Sequence, residues 1–270
     1  MKKIILISLT ALLFSNCTDN TEKQTQQQEK QAKVEVAKPA TPKVDLPSPL
    51  QIGMLIEKSN LEYRSGLTHD VNKASDYVTR TEKWLNFGVY SADLSYHIIN
   101  EQDRNSLRYM IVVRGLGEEL GLQSVFSSEE LIKSFEKNLG NKDSLMFIIT
   151  DIQLEFDEYA IENQLHDERI ISFAGAWTEF VFLGLSVTES SKKLGTRFIE
   201  QMVVLQKIVD AMETLENPDD VTETLHTKLA DLNDFFETLI DDDDIHDVSI
   251  SNDEFETLKD KVNDIRYFLI

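Results

Sequence analysis

Two acidic residues in apolar surroundings are the side chains of this sequence best placed for chemistry. Glu179 is the only charged residue in the apolar run 170–187. A carboxylate buried there must be paired, hydrogen-bonded or protonated, because burying it bare is costly. Asp93 lies one helical turn before His97, so the two side chains could bind a metal or form an acid–base couple. The alternatives are structural: a Tyr, Trp or Arg of a neighbouring helix satisfies Glu179, and Asp93 has a capping or packing role.

The stretches that contain these acids resemble a known protein family. The resemblance rests on Gly88–Tyr96, Asn138–Leu145 and Gly175–Glu179, and the chain departs from the family at Ser91 and Ala176, where glycine is more frequent. The family consists of helical lipoproteins of Gram-negative bacteria without an established activity. The resemblance implies export, lipidation and an all-helical fold. The resemblance also implies a shared buried cluster of Tyr90, Asp93, Tyr96, Trp177 and Glu179. His97, added because of its spacing from Asp93, completes the candidate buried functional cluster.

A second group of acids could hold a divalent cation. Asp241, Asp243, Asp244 and Asp247 fall between two predicted helices, and carboxylate oxygens are preferred ligands of Ca²⁺. The glycine and ligand spacing of an EF-hand are absent, so a solvated acidic loop is the alternative. The sequence has no HExxH or CxxC motif and no nucleophile elbow, and it therefore indicates no cofactor and no recognised enzyme class.

The N-terminal residues are typical of an export signal. Met1, Lys2 and Lys3 form a basic start, and residues 4–14 are apolar apart from Ser8 and Thr10. This stretch is too short to span a bilayer, which takes roughly 20 apolar residues. We therefore expect a leader over residues 1–16 that is removed from the mature protein.

The only cysteine of the chain, Cys17, follows this leader. Residues 13–17 resemble the lipobox of bacterial lipoproteins, although Phe14 and Asn16 are not the usual residues there. The resemblance implies cleavage before Cys17 and its lipidation, and an ordinary secretory leader is the alternative. Thr18, rather than Asp, after the cysteine is typical of delivery to the outer membrane rather than the inner membrane.

Composition separates a tether from a domain. Residues 17–49 contain four of the five prolines and several glutamines, which predicts a disordered spacer after the lipidated cysteine. Residues 1–49 hold 7 of the 27 basic and 5 of the 48 acidic residues, so the domain over 50–270 has 20 basic and 43 acidic residues, a net charge of −23. Such a negative field excludes nucleic acid as a natural partner and disfavours direct adhesion to an anionic bilayer.

Apolar residues recur at helical spacing over most of the domain and predict an all-α, irregular multi-helix bundle of about eight to ten helices. Ser127–Glu130 has capping-box spacing before a short helix that ends at Gly140, and residues 143–163 predict a longer helix. The run 170–187 predicts the central buried helix, with a membrane span as the alternative.

The C-terminal part predicts an antiparallel helical hairpin and one further helix. Two apolar seams, over 198–212 and 225–239, step by four and three residues. Between them, Asn217 and Pro218 predict the cap and first turn of the second helix. Ser251–Glu254 predicts the cap of the last one.

These features predict an envelope lipoprotein anchored to a bacterial membrane through Cys17, whose helical domain is a scaffold or binding module for a protein partner in the envelope. The alternative is a divalent-cation or small-ligand binding protein that uses the Asp93/Glu179 cluster or the acidic loop 241–247. An enzyme without a recognisable motif is the third interpretation.

Overall fold

The computed structural model describes residues 46, 51–59, 61–126, 129–188, 196–239 and 250–270, and these residues contain helices and no strand. The predicted all-α multi-helix fold is confirmed. Cys17, the lipobox, Ser127, Ser128 and the acidic loop with Asp241, Asp243, Asp244 and Asp247 lie outside the described residues. The elements are α1 Ile52–Ser59, a 3-10 helix Val71–Asp76, α2 Arg80–Ile99, α3 Asp103–Glu119, α4 Gln123–Phe126, α5 Glu129–Lys137, α6 Lys142–Glu162, α7 His166–Val187, α8 Thr196–Met212, α9 Asp220–Glu237 and α10 Asn252–Leu269.

The helices α2 and α7 form the buried centre of the bundle. Every residue from Trp84 to Ile98 is buried, and so is every residue from Ile170 to Val181, which confirms the predicted central helix. Of the described helices, α7 is the one long and apolar enough to cross a membrane, with a mean hydropathy of 1.6, but 78% of that window is buried inside the bundle. The other helices therefore supply the apolar surroundings of α7.

Two glycines bring the backbones of α2 and α7 into direct contact. A Cβ atom on Gly88 would lie 1.9 Å from the carbonyl oxygen of Ser172, and one on Gly175 would lie 2.2 Å from that of Leu85. The arrangement is reciprocal, since each glycine faces the carbonyl three residues before the other glycine. An ion pair between Arg80 and Glu168, at 3.3 Å, joins the N-terminal ends, so the two helices run in the same direction.

We expect Gly88→Ala and Gly175→Ala each to lower the free energy of unfolding by about 3 kcal/mol or more, because the methyl group meets backbone that cannot rotate away. Gly115→Ala is the matched control, since nothing lies within 4 Å of its Cβ position inside α3. That control should be neutral or gain up to about 1 kcal/mol. Urea denaturation of the three variants measures the difference, and equal stabilities would contradict the close helix contact.

The helix ends follow the capping residues, with one correction. Ser251 and Glu254 form the expected capping box before α10, and Gly140, at φ 83°, terminates the turn after α5. The cap of α9 is Asp219, and the prediction of Asn217 was wrong. The Asp219 carboxylate accepts from the Thr222 N–H at 2.8 Å, and the Thr222 hydroxyl accepts from the Asp219 N–H at 2.8 Å. This reciprocal pair satisfies two donors at once, which places Pro218 before the helix.

The two C-terminal seams are buried where the structure describes their side chains: Leu205, Val209, Met212, Leu225, Leu229, Leu232, Phe236 and Leu239. α8 and α9 contact each other, and the Asn233 amide donates to Gln206 Oε1 at 2.7 Å. The antiparallel course of this hairpin stays a prediction.

Candidate functional site

Asp93 of α2 and Glu179 of α7 lie together at the centre of the bundle, and both are fully buried. Arg266 of α10 donates to Glu179 with two nitrogens, Nε to Oε2 at 2.7 Å and Nη2 to Oε1 at 3.0 Å. A two-point pair of this kind is among the stronger charge-assisted hydrogen bonds. The partner of Glu179 is thus an arginine of a neighbouring helix, one of the three structural partners that the sequence suggested.

Asp93 differs from Glu179 because no cation binds it directly. Burial raises the pKa of Asp93 well above its usual range, and the charge of Glu179 raises this pKa further. Asp93 Oδ2 accepts from the His69 N–H at 2.9 Å, and the Asp93 side chain also forms a hydrogen bond with that of Glu179. The raised pKa of Asp93 favours its neutral form, and the Arg266 guanidinium pairs with the Glu179 carboxylate, so that burial is satisfied at both acids.

We expect Asp93→Asn to leave the fold intact at neutral pH, because the amide can accept from His69 and donate towards Glu179 as the protonated acid does. Asp93→Ala should cost about 2 kcal/mol or more, since it leaves the His69 N–H unpaired in the interior. Chemical denaturation at pH 7 measures both. If Asp93→Asn loses as much stability as Asp93→Ala, the side chain is needed as a carboxylate.

The same pair predicts a pH dependence with a definite sign. The pKa of Asp93 is higher in the fold than its ordinary value of 3.8, so its proton stabilises the fold fully below that value. This stabilisation is lost as the pH rises towards the folded pKa. The stability of Asp93→Asn relative to wild type should therefore increase as the pH rises above about 4, by up to about 1.4 kcal/mol per pH unit, until the folded pKa is passed.

Most other polar groups of the cluster hold one non-helical segment, residues 61–70, which we call the strap. The Tyr90 hydroxyl donates to the Asp70 carbonyl at 2.8 Å, and the Tyr96 hydroxyl donates to the Glu62 carbonyl at 2.7 Å. The Tyr109 hydroxyl lies 2.6 Å from the His69 carbonyl. Burial raises the pKa of all three tyrosines, so they are neutral donors. These hydroxyls replace the helical hydrogen bonds that the strap lacks.

Asp93 and His97 share a helix face, as predicted, but they bind different groups. His97 Nε2 lies 3.2 Å from the Thr68 hydroxyl of the strap, and its ring is tilted against that of Tyr109, with centroids 4.6 Å apart. Within the described part of the chain, no three His, Cys, Asp or Glu side chains come together as a group that could hold a metal ion. The spacing of the two residues predicted a common face correctly, and the strap supplies their separate partners.

The imidazoles near the cluster are uncharged at neutral pH. Burial lowers the pKa of His69 to about 4, with Arg266 acting in the same direction, and burial with Arg108 lowers that of His97 to about 4. His69 Nε2 is 2.5 Å from the Tyr77 hydroxyl. Neither ring competes with Arg266 as the cation of the cluster.

Trp177, the remaining predicted member of the cluster, is a core residue. Its ring is buried, and Nε1 has no hydrogen-bond partner. It lies two residues before Glu179 on α7, a spacing at which side chains do not face each other, so its role is packing in the core.

Sequence reasoning missed Arg266, His69 and Tyr109. Arg266 had a recognisable signal, because it is one turn after Val262 and next to Ile265, both in the buried seam of α10. A basic residue at the edge of such a seam is suited to reach a buried acid. His69 lies in the strap, where no periodic pattern marks which groups are buried.

The fold and the cluster define an all-α bundle with two buried acids at its centre, one of which is paired with Arg266. Protein-family models, curated proteins and solved structures contain no match to this chain. The resemblance to helical lipoproteins through Gly88–Tyr96 and Gly175–Glu179 therefore stays a prediction.

Proposed function

We propose that this chain is an envelope lipoprotein whose acidic helical domain is a scaffold or binding module for a protein partner. The observation that supports a binding role for the surface is that the polar groups of the buried cluster form hydrogen bonds within the fold. Arg266 donates to Glu179 and to the Leu67 carbonyl, and the tyrosine hydroxyls donate to the strap. Because these groups are committed to the fold, contact with partners falls to the surface of the domain.

The anchoring part of the proposal is supported by the sequence around Cys17. A single cysteine in an exported protein has no partner for an internal disulfide, and acylation gives it a role. The tether over residues 17–49 would let the domain extend from the bilayer, and Thr18 favours the outer membrane. The domain charge of −23, from 20 basic and 43 acidic residues, disfavours attachment to anionic lipid without such an anchor.

Metabolic labelling with an alkyne fatty acid in a Gram-negative host tests the anchor. The full chain should take up the label and fractionate with membranes, whereas Cys17→Ala should lose both properties. Ser15→Ala is the matched control and should keep them. Label on the Cys17→Ala protein would overturn lipidation at this residue, and an unlabelled wild type would favour the ordinary secretory leader.

A second candidate function is the binding of a divalent cation or small ligand at the Asp93/Glu179 cluster. The observation that favours it is His97 Nδ1, a buried polar atom without a hydrogen-bond partner on the same helix as Asp93. Ligand binding to the folded state raises its melting temperature. Melting with millimolar Ca²⁺, Zn²⁺ or Mn²⁺ should raise the transition of wild type but not of Glu179→Gln if this candidate holds, and an unchanged transition with all three cations contradicts its cation version.

A further inference from the structure

The outer face of α6 carries three large apolar side chains at a constant interval. Phe147, Leu154 and Ile161 are seven residues apart, and they are 66%, 60% and 70% exposed. We call these three residues the outer stripe. With a rise of 1.5 Å per residue it is about 21 Å long. The core of the bundle takes the opposite face of α6, through Leu145, Ile148, Ile149, Ile152, Phe156 and Ala160.

The interval of the outer stripe fits a helix as its occupant. Single exposed apolar residues are common on protein surfaces, whereas three of them in line on one helix offer a row of contacts to a second helix. In two helices packed along each other, equivalent contact positions recur every seven residues. A strand, with its two-residue period, would not meet the stripe at each position.

The charges that α6 places beside the outer stripe are negative. Asp151 lies between Phe147 and Leu154 on the helix surface, and Glu158 lies between Leu154 and Ile161, each three or four residues from both. Both acids are exposed, and α6 has no Lys or Arg after Lys142. A second copy of this chain would set like charges against each other along the contact, which disfavours self-association.

The surface next to Phe147 is concave. A cleft of about 430 Å³ opens between α5 and α6, and Asn138, Asp143, Phe147, Ile148 and Asp151 are among the residues that line it. The cleft continues the apolar surface of the stripe to one side and adds a further carboxylate to its edge. An amphipathic helix on the stripe could place one apolar side chain here and a basic one against Asp143.

We propose that the outer stripe of α6 is a docking surface for an amphipathic helix of a partner protein, with apolar residues on one face and Lys or Arg along both flanks. Apolar contact gives the affinity, and the acids select the charge of the partner. The inference rests on the binding-module part of the proposed function. It does not depend on lipidation of Cys17, so the two can fail separately.

A synthetic 21-residue helix with a leucine seam and lysine flanks is the probe, and the same peptide with glutamate flanks is its control. Binding to the full chain is measured by fluorescence anisotropy at low and moderate salt. The lysine peptide should bind at least tenfold more tightly than the glutamate peptide. A Phe147→Ser, Leu154→Ser, Ile161→Ser variant should bind it at least tenfold more weakly than wild type.

The control variant is Val78→Ser, Val203→Ser, Tyr267→Ser, which removes exposed large hydrophobic residues of other elements. It should bind like wild type, and circular dichroism should show that both variants stay helical. Asp151→Asn with Glu158→Gln should reduce the salt dependence of binding. Equal binding by the outer-stripe variant overturns the proposal, and so does self-association of the full chain in sedimentation that this variant abolishes.

Discussion

The contact between the backbones of α2 and α7 determines where the buried polar groups of this protein lie. Gly88 and Gly175 leave no room for a side chain between the two helices. Since the helices run in the same direction, residues shortly after each glycine lie at the same level of the bundle. Asp93 and Glu179 occupy that level, and their proximity is a result of the close contact rather than of attraction between them.

The charge of these two neighbouring acids is compensated in two ways, by the raised pKa of Asp93 and by the guanidinium group of Arg266. Burial raises the pKa of Asp93 and so favours its neutral form, and the two-point pair with Arg266 balances the carboxylate of Glu179. Arg266 also donates to the Leu67 carbonyl, so its side chain joins α10 to the strap and to α7. A buried polar group of this kind adds less stability than an apolar core would, and it favours one packing arrangement over others.

Local patterns predicted the individual elements well. α10 begins after Ser251, which forms the predicted capping box with Glu254. The apolar run around Glu179 forms the central helix α7, as predicted. What the sequence could not supply was the meeting of distant elements. Nothing near Asp93 shows that the strap, rather than His97, provides its partner, and nothing near Gly88 shows that it faces Ser172. Such contacts depend on the relative placement of helices, which local periodicity does not encode.

Arg266 lies late in the described chain, so it is synthesised after both central helices. The residues of α2 and α7 are translated before those of α10. A nascent chain that packed these two helices at that stage would bury Glu179 without Arg266. Asn86 likewise depends on α10, because its amide donates to the Leu269 carbonyl at 2.9 Å. The polar groups at the centre of the bundle therefore gain all of their partners only when α10 packs against α2 and α7.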